Sequence, residues 1–216
     1  MTTRRTGLRE QKKLATKEAL REAALRLALT VGPDNVRVED IAEAAGVSPR
    51  TYNNYYASRE QAIVAAVTAE RETRVAASVT AREADVGLAQ AVTDAVVAQY
   101  TTPDESHRDA LLLIIARPAL RAAYVDSPGA MADSLADAIA HRLGDTVDPN
   151  TPRVLAASVA AAVRIALHQW TQPAATSLPA AGLVVPSGSL PDLLRAALAP
   201  LTPALDAAEN SHPPGE

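Results

Sequence analysis

Apolar positions recur at helical spacing along most of the chain. From Arg9 onward, Leu20, Ala24, Leu27 and Val31 fall on one face, with polar residues between them. "GPDN" at 32–35 interrupts this helix with glycine, proline and turn formers. "VEDIAEAAG" then predicts a short helix. Asp40 lies in its first turn, where a carboxylate suits the positive helix end, and Gly46 stands where a glycine terminates a helix. Arg37 precedes this helix but has no oxygen with which to cap it, so Asp34 or Asn35 is expected to offset the loss of about 1 kcal/mol. Ser48-Pro49 predicts another start, a capping serine followed by proline at the first helical position. Two short helices joined through "AGV" make the layout of a helix-turn-helix. Ser58 opens a long helix over 59–79, with Glu60 at the second helical position rather than the third that a capping box uses.

Beyond residue 84 the pattern predicts helices near 86–101, 105–124 (bent at Pro118), 128–143, 150–171 and 190–207. "ALLLIIARPAL" is apolar all round and is expected to be buried centrally. "TQPAATSLPAAGLVVPSGSLP" reads as a loop. Residues 1–8 and 208–216 are expected to be disordered, leaving 9–57 and 58–207 as the folded parts, with no internal repeat.

Composition narrows the class. The apolar share is 48% and the aromatic share 3%, with no phenylalanine and no cysteine. A core of Ala, Leu and Val favours closely packed helices over sheets, so an all-α fold is expected. The lack of cysteine excludes disulfides and thiolate metal sites and fits a reducing compartment. No apolar run is expected to span a membrane, and "MTTRRTGLREQKK" precedes no apolar signal core, so a soluble cytoplasmic protein without a membrane partner is expected. The net charge of −4 hides an asymmetry: residues 1–60 carry a balance of +3 and the remainder −7. All the lysines, Lys12, Lys13 and Lys17, lie near the start. The first part suits a polyanion and the second repels one.

The aromatics are placed unevenly. "VSPRTYNNYYASRE" at 47–60 holds Tyr52, Tyr55 and Tyr56. Wound as a helix, Tyr52 and Tyr56 share a face with Pro49, and this face is expected to pack on Ile41, Ala45 and Leu27. The opposite face carries Arg50 and Asn54, flanked by Thr51 and Asn53, with Tyr55 on the boundary. Every exposed position is then a hydrogen-bonding side chain, and none is acidic. In a DNA major groove Arg grips guanine, Asn grips adenine, and Thr meets a thymine methyl. Tyr55 and Arg59 are placed to bind phosphates, and Ser48 begins the same surface.

"VRVEDIAEAAGVSPRTYNNYYASREQAI", with the helix before it and about 150 helical residues after it, resembles the DNA-binding signature of the TetR family of bacterial transcriptional regulators. The resemblance covers roughly residues 12–65. It implies an all-α homodimer whose N-terminal domain binds a palindromic double-stranded DNA operator. It also implies a C-terminal ligand-binding and dimerisation domain whose small effector releases the DNA. Asn53 stands where the family commonly has tyrosine, Tyr56 where phenylalanine is frequent, Arg59 where lysine is usual, and Arg37 where a capping threonine is usual. The implied phosphate role of Arg59 carries over with its charge.

Under this resemblance the basic arm, with Arg4, Arg5, Arg9, Lys12 and Lys13, either enters a minor groove or attracts DNA through charge alone. The effector cavity would lie among the C-terminal helices, where Tyr100, Arg117, Tyr124, Arg164, His168 and Trp170 interrupt apolar surroundings. The helices at 150–171 and 190–207 would form the dimer interface, small residues in "VLAASVAAAVRIAL" allowing close approach. The opening "GLREQKKLATKEAL" and "SPRT" resemble a branch whose effectors are acyl-CoA-like or otherwise lipophilic.

Enzymatic readings lack their parts. His107, His141, His168 and His212 are far apart, none has metal-ligand spacing, and no glycine-rich nucleotide loop occurs. No metal, cofactor or catalytic residue is expected. The rival that keeps the fold is a helical interaction protein without DNA binding; the intact cap, turn and polar face speak against it.

Overall fold

The N-terminal pattern forms α1, Thr2–Val31. The computed structural model describes residues 2–83, 85–101, 108–144, 147–172 and 189–211, with residues 2–8, 10, 72 and 108 described by backbone alone. The expectation of disorder before Arg9 is therefore corrected: the helical backbone extends to Thr2. Leu20 and Ala24 are buried as expected, joined by Ala23 and Ala28, while Val31 is exposed.

After a short 3-10 turn at Pro33–Asn35 come α2, Val38–Ala44, α3, Pro49–Tyr52, and α4, Arg59–Thr80. Then follow α5, Leu88–Thr101, α6, Arg108–Ala116, α7, Pro118–Asp126, α8, Ala132–Leu143, α9, Asn150–Thr171, α10, Leu190–Leu198, and α11, Thr202–Asn210. Among the described residues all regular structure is helical. The predicted bend at Pro118 is a break: Arg117 separates α6 from α7, as proline's missing N–H allows. The helix predicted over 190–207 is likewise divided by a 3-10 turn at Ala199–Leu201. α11 runs to Asn210, past the expected start of a disordered tail, and most of the loop read at 171–191 lies outside the described residues.

The chain divides into two compact units, residues 1–68 with 109–123, and residues 69–108 with 124–216. This differs from a single boundary at 57/58, because α4 contributes to both units and the segment 109–123 joins the first. "ALLLIIARPAL" consequently lies in the first unit, and the expectation of central burial is corrected. Ala110, Ile114 and Leu120 are buried, but Leu112 is 61% exposed. A helix of this length presents only one side to its neighbours.

In the first unit α2 packs on α1 and α3. The turn between α2 and α3 closes as a Schellman motif. Val47 N–H donates to Ala42 O at 2.9 Å and Gly46 N–H to Glu43 O at 3.0 Å, with Gly46 at φ 70°. The start of α2 is held by neither Asp34 nor Asn35. Arg37 N–H donates to the Asp40 carboxylate at 3.1 Å, half of a capping box, since a guanidinium cannot supply the accepting half. At α4, Gln61 is the third helical residue that the sequence reading passed over. Its N–H donates to Ser58 Oγ at 3.2 Å, and its side-chain oxygen accepts from Ala57 N–H at 3.0 Å.

In the second unit α9 packs on α8 and α10, and α5 packs on α10 and α11. By length and composition α9 is apolar enough to cross a bilayer, contrary to the expectation that no run would be. Half of its apolar window is buried within the unit, as in the core helix of a globular domain. Arg142 ties distant segments together. Its side chain is 8% exposed; it donates to Val86 O at 2.6 Å and Arg82 O at 3.3 Å and pairs with Glu209 at 3.4 Å. Glu209 also accepts from Leu88 N–H at 2.7 Å, so a carboxylate near the C-terminus caps the start of α5.

Two outcomes follow. Arg142→Met leaves carbonyls and a carboxylate without their donor and should cost about 3 kcal/mol, read from urea unfolding. A Cβ at Gly46 would meet nothing within 4 Å. Gly46→Ala should therefore cost only the strain of positive φ, about 1 to 2 kcal/mol, and Gly46→Asn less.

Candidate functional site

α3 is a single turn, built by its cap. Thr51 N–H donates to Ser48 Oγ at 3.1 Å, and the two hydroxyls share a hydrogen bond of 2.9 Å. Pro49 occupies the first helical position, where its missing N–H costs nothing. The chain then tightens: Asn54 N–H donates to Thr51 O at 3.1 Å and Tyr55 N–H to Tyr52 O at 2.8 Å. The recognition segment is thus one α-turn followed by a 3-10-like turn, shorter than the helix wound over 49–56 from sequence.

Behind it sit the phenols. Tyr52 is fully buried and Tyr56 nearly so, their ring centroids 5.9 Å apart at 46°. Tyr52 donates its hydroxyl proton to Ser58 O at 2.7 Å, the residue that opens α4. Burial first, and then the charge of Glu60, push the Tyr52 hydroxyl above its ordinary pKa, so it stays a donor. Pro49 does not share the buried face as expected; it is exposed.

In front, Arg50, Asn53 and Asn54 are exposed, and Thr51 and Tyr55 are partly so. Between Glu43 and Glu60 the chain has no carboxylate. The surface therefore offers a guanidinium, two amides and a phenol, with no negative charge of its own. The Ser48 and Thr51 hydroxyls are engaged with each other, which makes Ser48 a cap as well as a member of this surface.

Arg59, expected to bind phosphate, is also held by contacts within the unit. Its guanidinium donates to Val36 O at 2.7 Å and Asp34 O at 3.1 Å, and pairs with Glu60 at 2.8 Å. It joins the linker between α1 and α2 to the start of α4 through Nε and Nη1. Burial raises the Glu60 pKa, but hydrogen bonds from Arg59, its own backbone and Ser58 outweigh this and hold the carboxyl below its usual range. Arg9, Lys12 and Lys13 are exposed on α1; the side chains of Arg4 and Arg5 lie outside the described residues.

The six residues expected to line an effector site separate into three groups. Tyr100 and Tyr124 are buried and come together in the second unit. Arg71, which the sequence reading missed, joins them: its guanidinium carbon lies 4.6 Å from the Tyr100 ring centroid and 5.8 Å from that of Tyr124. An arginine amid the charges of "AERETR" carried no signal of burial. Arg117 is placed elsewhere, in the first unit, where it pairs with Asp34 at 3.1 Å. Arg164 and His168 are exposed on α9, His168 bonding Gln172 at 2.9 Å, and Trp170 is half-buried. The exposed side of α9 also carries Val154, Ala157, Ala161 and Ile165, an apolar stripe at helical spacing. Among the described residues no group of His, Asp and Glu could hold a metal ion.

Two family profiles match the chain. One, described as bacterial regulatory proteins of the tetR family, covers residues 20–66, the span that holds the cap, turn and α3. The other, described as the MftR C-terminal domain, covers residues 86–206. A curated relative, the HTH-type transcriptional regulator TcmR of Streptomyces glaucescens, is 33% identical over 184 residues, covering 81% of each chain. With the helix-turn-helix geometry, these matches place the chain in the TetR family of bacterial DNA-binding transcriptional regulators.

Proposed function

We propose that this protein is a repressor that binds a palindromic operator as a homodimer in the cytoplasm and leaves it when a small lipophilic molecule binds the second unit. The observation that carries the DNA reading is the exposed, carboxylate-free face of Arg50, Asn53 and Asn54, held forward by buried Tyr52 and Tyr56. Arg and Asn are the side chains that distinguish guanine and adenine through paired hydrogen bonds. Two copies would read successive major grooves roughly 34–36 Å apart. The exposed cations of α1 would add phosphate attraction without sequence preference.

The dimer reading rests on α9. Val154 and Ile165 are 62% and 52% exposed, with Ala157 and Ala161 between them. Apolar and small, this stripe suits close packing against a second copy of itself. A lipophilic effector, acyl-CoA-like in the branch that the N-terminal sequence resembles, fits the apolar helices of the second unit. α4 supplies residues to both units, so a ligand that shifts its second half acts on the helix that follows α3. Its effect on the operator is limited to its difference in affinity for the bound and free states.

Mobility shift with the DNA upstream of the protein's own gene tests the operator reading; no retarded band at low salt would sink it. Asn54→Ala should cost about 1 to 3 kcal/mol of base discrimination while leaving helicity unchanged. Arg59→Met should weaken all sequences alike through loss of local structure. Its salt dependence should stay that of the parent, since no counterion-releasing contact is lost. Ile165→Asp should convert the dimer to monomer at micromolar concentration, measured by analytical ultracentrifugation, with operator affinity falling together with it.

A further inference from the structure

Among the described residues of the second unit, Arg142 and Arg71 are both poorly solvated, and their surroundings differ. Arg142 has a carboxylate, Glu209, and backbone carbonyls. Arg71 has no carboxylate within ion-pair distance among the described residues. Its Nε donates to Gln99 O at 3.1 Å and its Nη1 to Tyr124 Oη at 3.2 Å. The faces of Tyr100 and Tyr124, both at least nine-tenths buried, supply the remaining attraction. Desolvation works against the Arg71 charge, but Tyr124 and Tyr100 outweigh it, so the guanidinium pKa lies above its ordinary value. A cation so placed keeps N–H donors to spare and is not fully covered.

We infer that Arg71, with Tyr100 and Tyr124, is the recognition point for the carboxylate of an apolar organic acid. This rests on the reading that the second unit binds an effector, and names the chemistry it answers to. The guanidinium fork matches a carboxylate in shape, and in a poorly solvated setting the pairing is strong. The aromatic rings lie against the guanidinium and would flank the first atoms of the ligand's body. Val75, Val96, Val97 and Val125, neighbours in sequence of these residues, are buried, which favours an apolar remainder. A single fork suits a monoanion. Arg71 stands three residues past Thr68, where α4 passes from the first unit to the second, so the acid would bind directly to the helix that serves both.

The test uses the full chain with octanoate, octan-1-ol and octanoyl-CoA, by isothermal titration calorimetry without DNA. Octanoate should bind roughly tenfold or more tightly than octanol, the difference a charge-assisted pair makes. Arg71→Met should abolish that preference while octanol binding stays within about twofold. If Arg71→Met does not fold by circular dichroism, Arg71→Lys decides. It keeps the charge and loses the fork, and octanoate should weaken roughly tenfold. Equal binding of octanoate and octanol by the parent, or octanoate binding unchanged in the folded variant, overturns the assignment. So does an octanoyl-CoA affinity that depends on Arg71 when octanoate affinity does not. A mobility shift run beside it separates the two claims: parent protein that never retards DNA refutes the operator reading and leaves the acid-binding result standing.

Discussion

A helix of one turn has no stability of its own, because the cost of nucleation is not recovered over so few hydrogen bonds. α3 is such a helix, and yet its outer side chains must be held in one orientation to serve recognition. Burial of Tyr52 is what supplies this. The ring fills the space behind the turn, and the hydroxyl reaches Ser58 O, joining α3 to the first residue before α4. Ser48 holds the other end through Thr51 N–H. Between these two fastenings Arg50, Asn53 and Asn54 have no inward option, and they face solvent. The small-residue composition of the rest of the chain makes this aromatic pair more consequential: no phenylalanine exists to take the role.

Arginine does three separate jobs in the molecule, and partners rather than position decide which. Arg59 donates to the carbonyls of Asp34 and Val36 and fastens the first unit from within. Arg142 gathers the end of α4, the approach to α5 and Glu209 of α11, contacts that no local pattern couples. Arg71 is held by tyrosines and left without a carboxylate among the described residues. The first two are internal ties, each with a carboxylate partner, Glu60 and Glu209. The third keeps a charge available, which is the difference between a structural cation and one poised for a ligand.

The helix-turn-helix was legible because its signals are local. Gly46 after α2, Ser48-Pro49 before α3 and Ser58 before α4 are punctuation that acts within a few residues, and the geometry of each is the one expected of its type. The inward and outward faces of α3 followed from helical period alone, save for Pro49, which a one-turn helix leaves at the open corner. Gln61 was equally local and was passed over in favour of Glu60. The effector residues were less legible. An aromatic or cationic residue in an alanine-rich helix can face core, solvent or partner: Tyr100 and Tyr124 are buried, Arg164 and His168 are exposed, and Arg117 pairs with Asp34.

Composition, period and capping thus determined the class of fold, the order of the helices and the polar character of α3. All of these depend on interactions within a turn or two of chain. Tertiary structure alone decided that Arg59 turns inward, that Glu209 caps α5 and that Arg71 meets two tyrosines from α5 and α7. Each of those is a pairing across tens of residues, set by how helix faces pack. A charge in a sequence carries no mark of the neighbour that will neutralise it.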